Sequence, residues 1–190
     1  FPDSLTHVYD PVTKETVELV EPLAANICGA AGPDMKLLNK EIFRLYAAMN
    51  LTRVAPPVKK AFYFRELAER VISLTREQAV ISGTVCTYEE LSEDIILYAD
   101  EGQITQILIN LVKNAVQAEA KNIGITAEIN PSEHIIINVT NDGHPISKES
   151  QDEIFVPFFT TKQEGTGIGL SLSRQIMRLH NGTVSLTRSD

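Results

Sequence analysis

Apolar positions recur in two different rhythms along the chain. Between residue 13 and about residue 55 the rhythm is helical. Leu38, Ile42, Leu45 and Met49 fall at i, i+4, i+7 and i+11, an apolar stripe of coiled-coil type. Gly29, Gly32 and Pro33 interrupt it and predict the bend of a helical hairpin. Pro56 and Pro57 then end the helix. From about residue 61 the pattern is mixed. It predicts a helix over 64–79, strands over 80–87 and 95–98, and a long helix over 100–121. Ile-rich strands follow over 123–129 and 134–140, divided by a turn at Asn130-Pro131. A helix over 169–180 and a strand over 183–186 complete the pattern. Helices with mostly hairpin-linked strands point to the α+β class, a two-layer α/β sandwich preceded by a helical hairpin. The expected domains are 1–58 and 61–190.

Composition narrows the functional classes. Of the 190 residues 43% are hydrophobic and 22% charged, a balance that builds a packed core. The net charge is -8, and the densest basic stretch is Lys59-Lys60, so the chain is a poor match for nucleic acid. Cys28 and Cys86 have neither the paired spacing of a zinc site nor the density of a disulfide framework. No apolar run nears the roughly 20 residues that span a bilayer. No signal peptide is visible. These features predict a cytoplasmic location with no membrane contact by this stretch, compatible with its being the cytoplasmic part of a membrane-anchored protein.

Three segments carry candidate chemistry. On the helix around 103–117, Ile104, Ile107, Leu108, Leu111, Val112 and Ala115 share one face. The other face is Gln103, Gln106, Asn110, Lys113, Asn114 and Gln117, amides where Glu and Lys are usual. Asparagine is a mediocre helix former, and its carbonyl oxygen is a hard ligand of the kind Mg²⁺ accepts. A solvated polar face is the plainer alternative. Second, the apolar strand ending in Val139-Thr140 runs into Asn141-Asp142-Gly143-His144-Pro145-Ile146, either a hairpin turn or a place where Gly143 permits a close approach. Third, Gly165-Thr166-Gly167-Ile168-Gly169-Leu170 opens a helix, exposing N–H groups to an anion. It is neither a Rossmann fingerprint nor a Walker loop. Between the last two, Phe155, Phe158 and Phe159 surround Pro157 and predict an anchored segment. It leads through Thr160, Thr161 and Lys162 into a short lid, with Lys162 either reaching a phosphate or solvated.

Together and in order, these motifs resemble the sensor histidine kinases of two-component systems. Residues 110–115 resemble the N box, Asn141-Asp142-Gly143 the G1 box, 155–162 the F box and 165–170 the G2 box. The resemblance covers about 61–190, and the preceding segment is similar to the family's dimerisation hairpin. It implies the Bergerat ATP-binding fold, shared with chaperone, mismatch-repair and topoisomerase relatives. The short lid and the Phe-Phe-Thr-Thr-Lys string favour the kinases. ATP and Mg²⁺ are the implied cofactors. The implied metal ligand is Asn114, with Asn110 and Lys113 near metal and phosphates. Asn141, Gly143 and Ile146 fall at the adenine end. Thr161, Lys162, Gly165, Thr166, Gly167, Gly169 and Leu170 fall in the lid and its base. The implied partners are a response-regulator receiver domain and a second copy of the chain through the hairpin.

The sequence also departs from the family. The G1 box normally begins with Asp, and here that position is Asn141; Pro145 replaces its second glycine. His7 lies 103 residues before Asn110, a spacing that fits the phosphoacceptor, but Val8 stands where an acidic residue is expected. A second alignment, on residues 17–23, fits the flanks better and puts Val17 in place of histidine. His134, His144 and His180 are expected to be structural or solvated. Two functions follow. One is an ATP-dependent protein kinase that phosphorylates a histidine and relays the group to a receiver aspartate. The other is a degenerate nucleotide-binding or dimeric scaffold without autokinase activity.

Overall fold

The computed structural model describes residues 7–9, 16–18, 54–92, 94–162 and 165–187. The chain divides into two compact units, Phe1–Asn50 and Leu51–Asp190. In the first, β1 (His7–Tyr9) pairs antiparallel with β2 (Thr16–Glu18), setting His7 opposite Glu18. The helical pattern expected from residue 13 therefore gives way to a strand at Thr16-Val17, two β-branched residues that favour the extended chain. The stripe from Leu38 to Met49 and the Gly29–Pro33 bend lie outside the described residues.

The second unit contains β3 (Lys60–Tyr63), α1 (Phe64–Ile81), β4 (Val85–Glu90), β5 (Ile96–Ala99) and α2 (Glu101–Gln117). It continues with β6 (Asn122–Ile129), β7 (Ile135–Asn141), α3 (Lys148–Gln151) and α4 (Gly169–Leu179). Strands β3 and β5 form an antiparallel ribbon. Strands β4, β6 and β7 form a sheet in that order, parallel between β4 and β6 and antiparallel between β6 and β7. The parallel pair requires a crossover, which β5 and α2 supply.

Alternation along the strands fixes which face meets the helices. On β6, Ile123, Ile125 and Ala127 are buried, and their cross-strand partners include Cys86, Tyr88, Val139 and Ile137. They pack with Phe64, Leu67, Ala68 and Val71 of α1, with Ile104, Ile107, Leu108, Val112 and Ala115 of α2, and with Ile176 of α4. Five of the six apolar residues assigned to one face of α2 are thus in the core; Leu111 packs half-buried at its edge. Phe64 meets Tyr88 edge-on, ring centroids 5.7 Å apart. Burial, and then the Glu90 carboxylate, push the Tyr88 hydroxyl up to about 12. Glu90 is itself held by an ion pair with Arg65 and by the Ile95 N–H.

Two other expectations fail. Val80 and Ile81 belong to the end of α1 and are exposed, so the next strand starts only at Val85. An apolar β-branched run reads equally as strand or helix end, and here Gly83, at φ +64, makes the turn. Residues 183–186 carry no strand: they alternate correctly, but no described neighbour pairs with them. The Asn130 turn forms as expected, its side-chain oxygen accepting from the N–H groups of Ser132 and His134.

Candidate functional site

The C-terminal half of α2 is the floor on which the separate motifs converge. Asp100 caps the helix, its carboxylate accepting the Gln103 N–H at 3.0 Å, so register is set from the first turn. Burial of Leu108, Val112 and Ala115 then leaves Asn110, Lys113, Asn114 and Gln117 on the opposite face. Asn110 and Asn114 are half-buried and Lys113 is exposed.

Helix α4 crosses α2 at Asn110. The Asn110 amide donates to Ser173 Oγ at 3.2 Å. A side chain on Gly169 would place its Cβ 2.1 Å from Asn110 Oδ1. Gly169 is therefore glycine because the two helices touch there, and the first turn of α4 lies beside the amide face. The phenylalanine segment is anchored as expected. The Phe158 N–H donates to the Gly167 carbonyl at 2.9 Å, and the Arg174 guanidinium lies 5.2 Å from the Phe155 ring centroid.

Lys162 ends that segment and reaches back across 48 residues. Its Nζ lies 2.7 Å from Gln117 Oε1 and 3.4 Å from Asn114 Oδ1. Two amide oxygens one turn apart thus accept from one ammonium group. Burial pushes the Lys162 ammonium below the usual lysine range. Thr161 is exposed beside it, and Gln163 and Glu164 lie outside the described residues. Gln117, noted only as one more polar position, is the site member that the sequence did not single out. Its i+3 spacing from Asn114 was the available signal.

The G1-like turn closes the far side. Strand alternation puts Asn141, with Val139 and Ile137, on the helix-facing side of β7, and Asp142 on the other. The Asp142 carboxylate accepts the N–H groups of Lys121 and Asn122 and the Asn122 amide, bonds that hold it below the usual carboxylate range. It is unavailable as a stand-in for Asn141. Asn141 Oδ1 accepts the Gly143 N–H at 3.0 Å, which leaves its NH₂ group as the free end of the amide. A Cβ on Gly143 would lie 2.5 Å from the Ala118 carbonyl, so this turn seats directly on the end of α2. His144 is exposed, 3.3 Å from Glu119, whereas His180 is tied into the fold. Among the described residues no cluster of three His, Cys, Asp or Glu side chains could hold a metal. No described helix is long and apolar enough to cross a membrane.

Residues 99–190 match the family described as histidine kinase-, DNA gyrase B- and HSP90-like ATPase. The catalytic domain of histidine kinase ThkA, solved in a nucleotide-free form, is 38% identical with a TM-score of 0.58. The match covers 63% of this chain and 80% of that one. ThkA solved in complex with the response regulator TrrA aligns at 27% identity with a TM-score of 0.58, covering 85% of this chain and 52% of that one. Sporulation kinase C of Bacillus subtilis (strain 168) is 28% identical over 130 residues, 67% of this chain and 30% of that protein. The chain belongs to this ATPase family, as the ATP-binding catalytic domain of a sensor histidine kinase. It spans no more than about a third of the length of the curated relatives it matches.

Proposed function

We propose that this chain binds Mg-ATP over the amide face of α2 and transfers the γ-phosphoryl group to a histidine, for relay to a receiver-domain aspartate. The observation that carries the reading is the Lys162 ammonium held by Asn114 and Gln117 on the same helix face that Gly169 of α4 meets at Asn110. In this reading the Asn114 oxygen would hold Mg²⁺, which would supply neutralisation of phosphate charge. Lys162 is displaced onto the phosphates, and Asn110 and Lys113 border them. The N–H groups of Gly165, Thr166, Gly167, Gly169 and Leu170 line the phosphate side, with Thr161 at the lid. Asn141, Gly143 and Ile146 take the base. Positioning and charge neutralisation then do most of the work of phosphoryl transfer. A receiver domain as partner is supported by the ThkA complex. Dimerisation through the first 58 residues rests on the Leu38–Met49 stripe.

Incubation with γ-labelled ATP and Mg²⁺ tests the activity. Acid-labile, base-stable label is expected, and its loss in His7→Gln would make His7 the acceptor. ATP binding without any label would favour the second reading, a scaffold that keeps the fold; Asn141 and the valine after His7 are what speak for it.

Asn141→Asp is expected to tighten ATP binding about three- to tenfold. The Gly143 N–H occupies one oxygen, and the aspartate's second oxygen would accept from the adenine amino group where asparagine presents a donor. A charged acceptor bond is roughly twice as strong as a neutral one of about 1 kcal/mol. Isothermal titration of both proteins measures it, and an unchanged or weaker affinity would remove Asn141 from the base pocket.

A further inference from the structure

Asp100 joins three stretches of chain that are remote in sequence. Its Oδ1 caps Gln103, and its Oδ2 accepts the N–H of Val58 at 2.8 Å. Its own N–H donates to His180 Nε2 at 3.0 Å, across 80 residues. His180 follows the last turn of α4, and its Nδ1 lies 2.9 Å from the Ile176 carbonyl. Because Nε2 accepts, Nδ1 carries the proton and donates to Ile176, and the imidazole is neutral in this arrangement. One ring therefore satisfies an N–H at the start of α2 and a carbonyl in the last turn of α4. Gln103 adds a bond to the Ala55 carbonyl, which holds the lead-in segment against the same turn.

The bond between Asp100 and His180 lies at the opposite end of α2 from Asn114. Asn114 is fourteen residues along α2, roughly 21 Å away at about 1.5 Å per residue. Yet among the described residues α2 and α4, with their caps, are joined by side-chain hydrogen bonds at two points: Asn110 with Ser173 at the glycine end, and Asp100 with His180 at the other. Between these two points the contact includes the fully buried Ile176, and apolar packing is non-directional. A helix pinned at one end can pivot on such a surface; pinned at both ends, it keeps its angle. The angle of α4 sets the direction of the N–H groups in its first turn relative to Asn114.

Resting on the nucleotide-binding reading above, we propose that His180 and Asp100 are positioning residues for the nucleotide site. Their bond holds α4 at the angle that aims its N-terminal N–H groups at the phosphates. The test uses the full 190-residue chain, with Mg-ADP as the probe. Three variants are titrated well below their melting temperatures: His180→Ala, His180→Gln and Val71→Ala. His180→Ala is expected to raise the Kd about tenfold. His180→Gln, whose amide oxygen can again accept the Asp100 N–H, is expected to stay within about threefold of the parent. Val71→Ala is a cavity in the α1 core; it should lower the melting temperature and leave the Kd unchanged. Three results would overturn the proposal: His180→Ala binding like the parent, glutamine failing to restore affinity, or Val71→Ala weakening binding equally. A parent chain that does not bind Mg-ADP at all would sink the nucleotide reading itself, and this inference with it.

Discussion

Asn114→Ala is expected to lower phosphoryl transfer by on the order of 10²–10³-fold while leaving the fold intact. The side chain is half-buried, and its carbonyl oxygen is turned toward the Lys162 ammonium. Removing it costs the fold little. Lys162 keeps its 2.7 Å bond to Gln117, and alanine is the better helix former by a few tenths of a kcal/mol. The site loses more. One preorganised polar group at a phosphate-metal centre is worth about 3–4 kcal/mol in the transition state. The discriminating result is a melting temperature equal to or above the parent's together with lost label transfer. Transfer within about threefold of the parent would mean that Asn114 is not a metal ligand and that its place on the polar face is only solvation.

Gly167→Ala is expected to damage both stability and binding, by about 2–3 kcal/mol and more than tenfold respectively. Gly167 sits at φ +67. Its Cβ would lie 2.4 Å from the Phe158 carbonyl carbon and 2.7 Å from both Phe158 Cα and the Phe159 oxygen. All three atoms are backbone, so no rotamer change relieves the clash. The 2.9 Å bond between the Phe158 N–H and the Gly167 carbonyl must break or stretch, and the lid base moves with it. Gly83→Ala is the control. It has nearly the same φ, +64, but its Cβ would meet only the tip of Lys121, at 3.9 Å. That substitution should cost about 1 kcal/mol of left-handed strain and leave nucleotide affinity untouched. Equal losses of affinity in the two variants would mean that backbone strain alone accounts for the effect at Gly167, without a packed lid base.

Much of this site was legible beforehand because its signals are local. Helix α2 announces itself by a 3.6-residue period strong enough to fix which face is buried. Its amide face needed no structure to be noticed. The opposed directions of Asn141 and Asp142 follow from the two-residue period of a strand, and the Asp142 bonds to Lys121 and Asn122 agree with that assignment. Gly143 and Gly169 stood out as glycines. The backbone and side-chain atoms that require them, the Ala118 carbonyl and Asn110 Oδ1, come from 25 and 59 residues away in sequence. Where the reading failed, two conformations shared one pattern. Residues 80–81 are as apolar as a strand but complete α1, and 183–186 alternate like a strand without a paired neighbour. At Thr16–Glu18 the β-branched pair prevailed over the helical period assumed from residue 13.

The sequence by itself determined the order and spacing of the motifs, the amphipathic helix that displays Asn110 and Asn114, and the loss of a carboxylate at Asn141. Each is a property of residues within a few turns of one another. Only the tertiary structure decided that Lys162 rests on Asn114 and Gln117, that the Asn141 oxygen is turned back to Gly143, and that His180 closes on Asp100. Those contacts depend on how helices and strands pack. Packing is set by the joint shape of many side chains rather than by the period of any one segment.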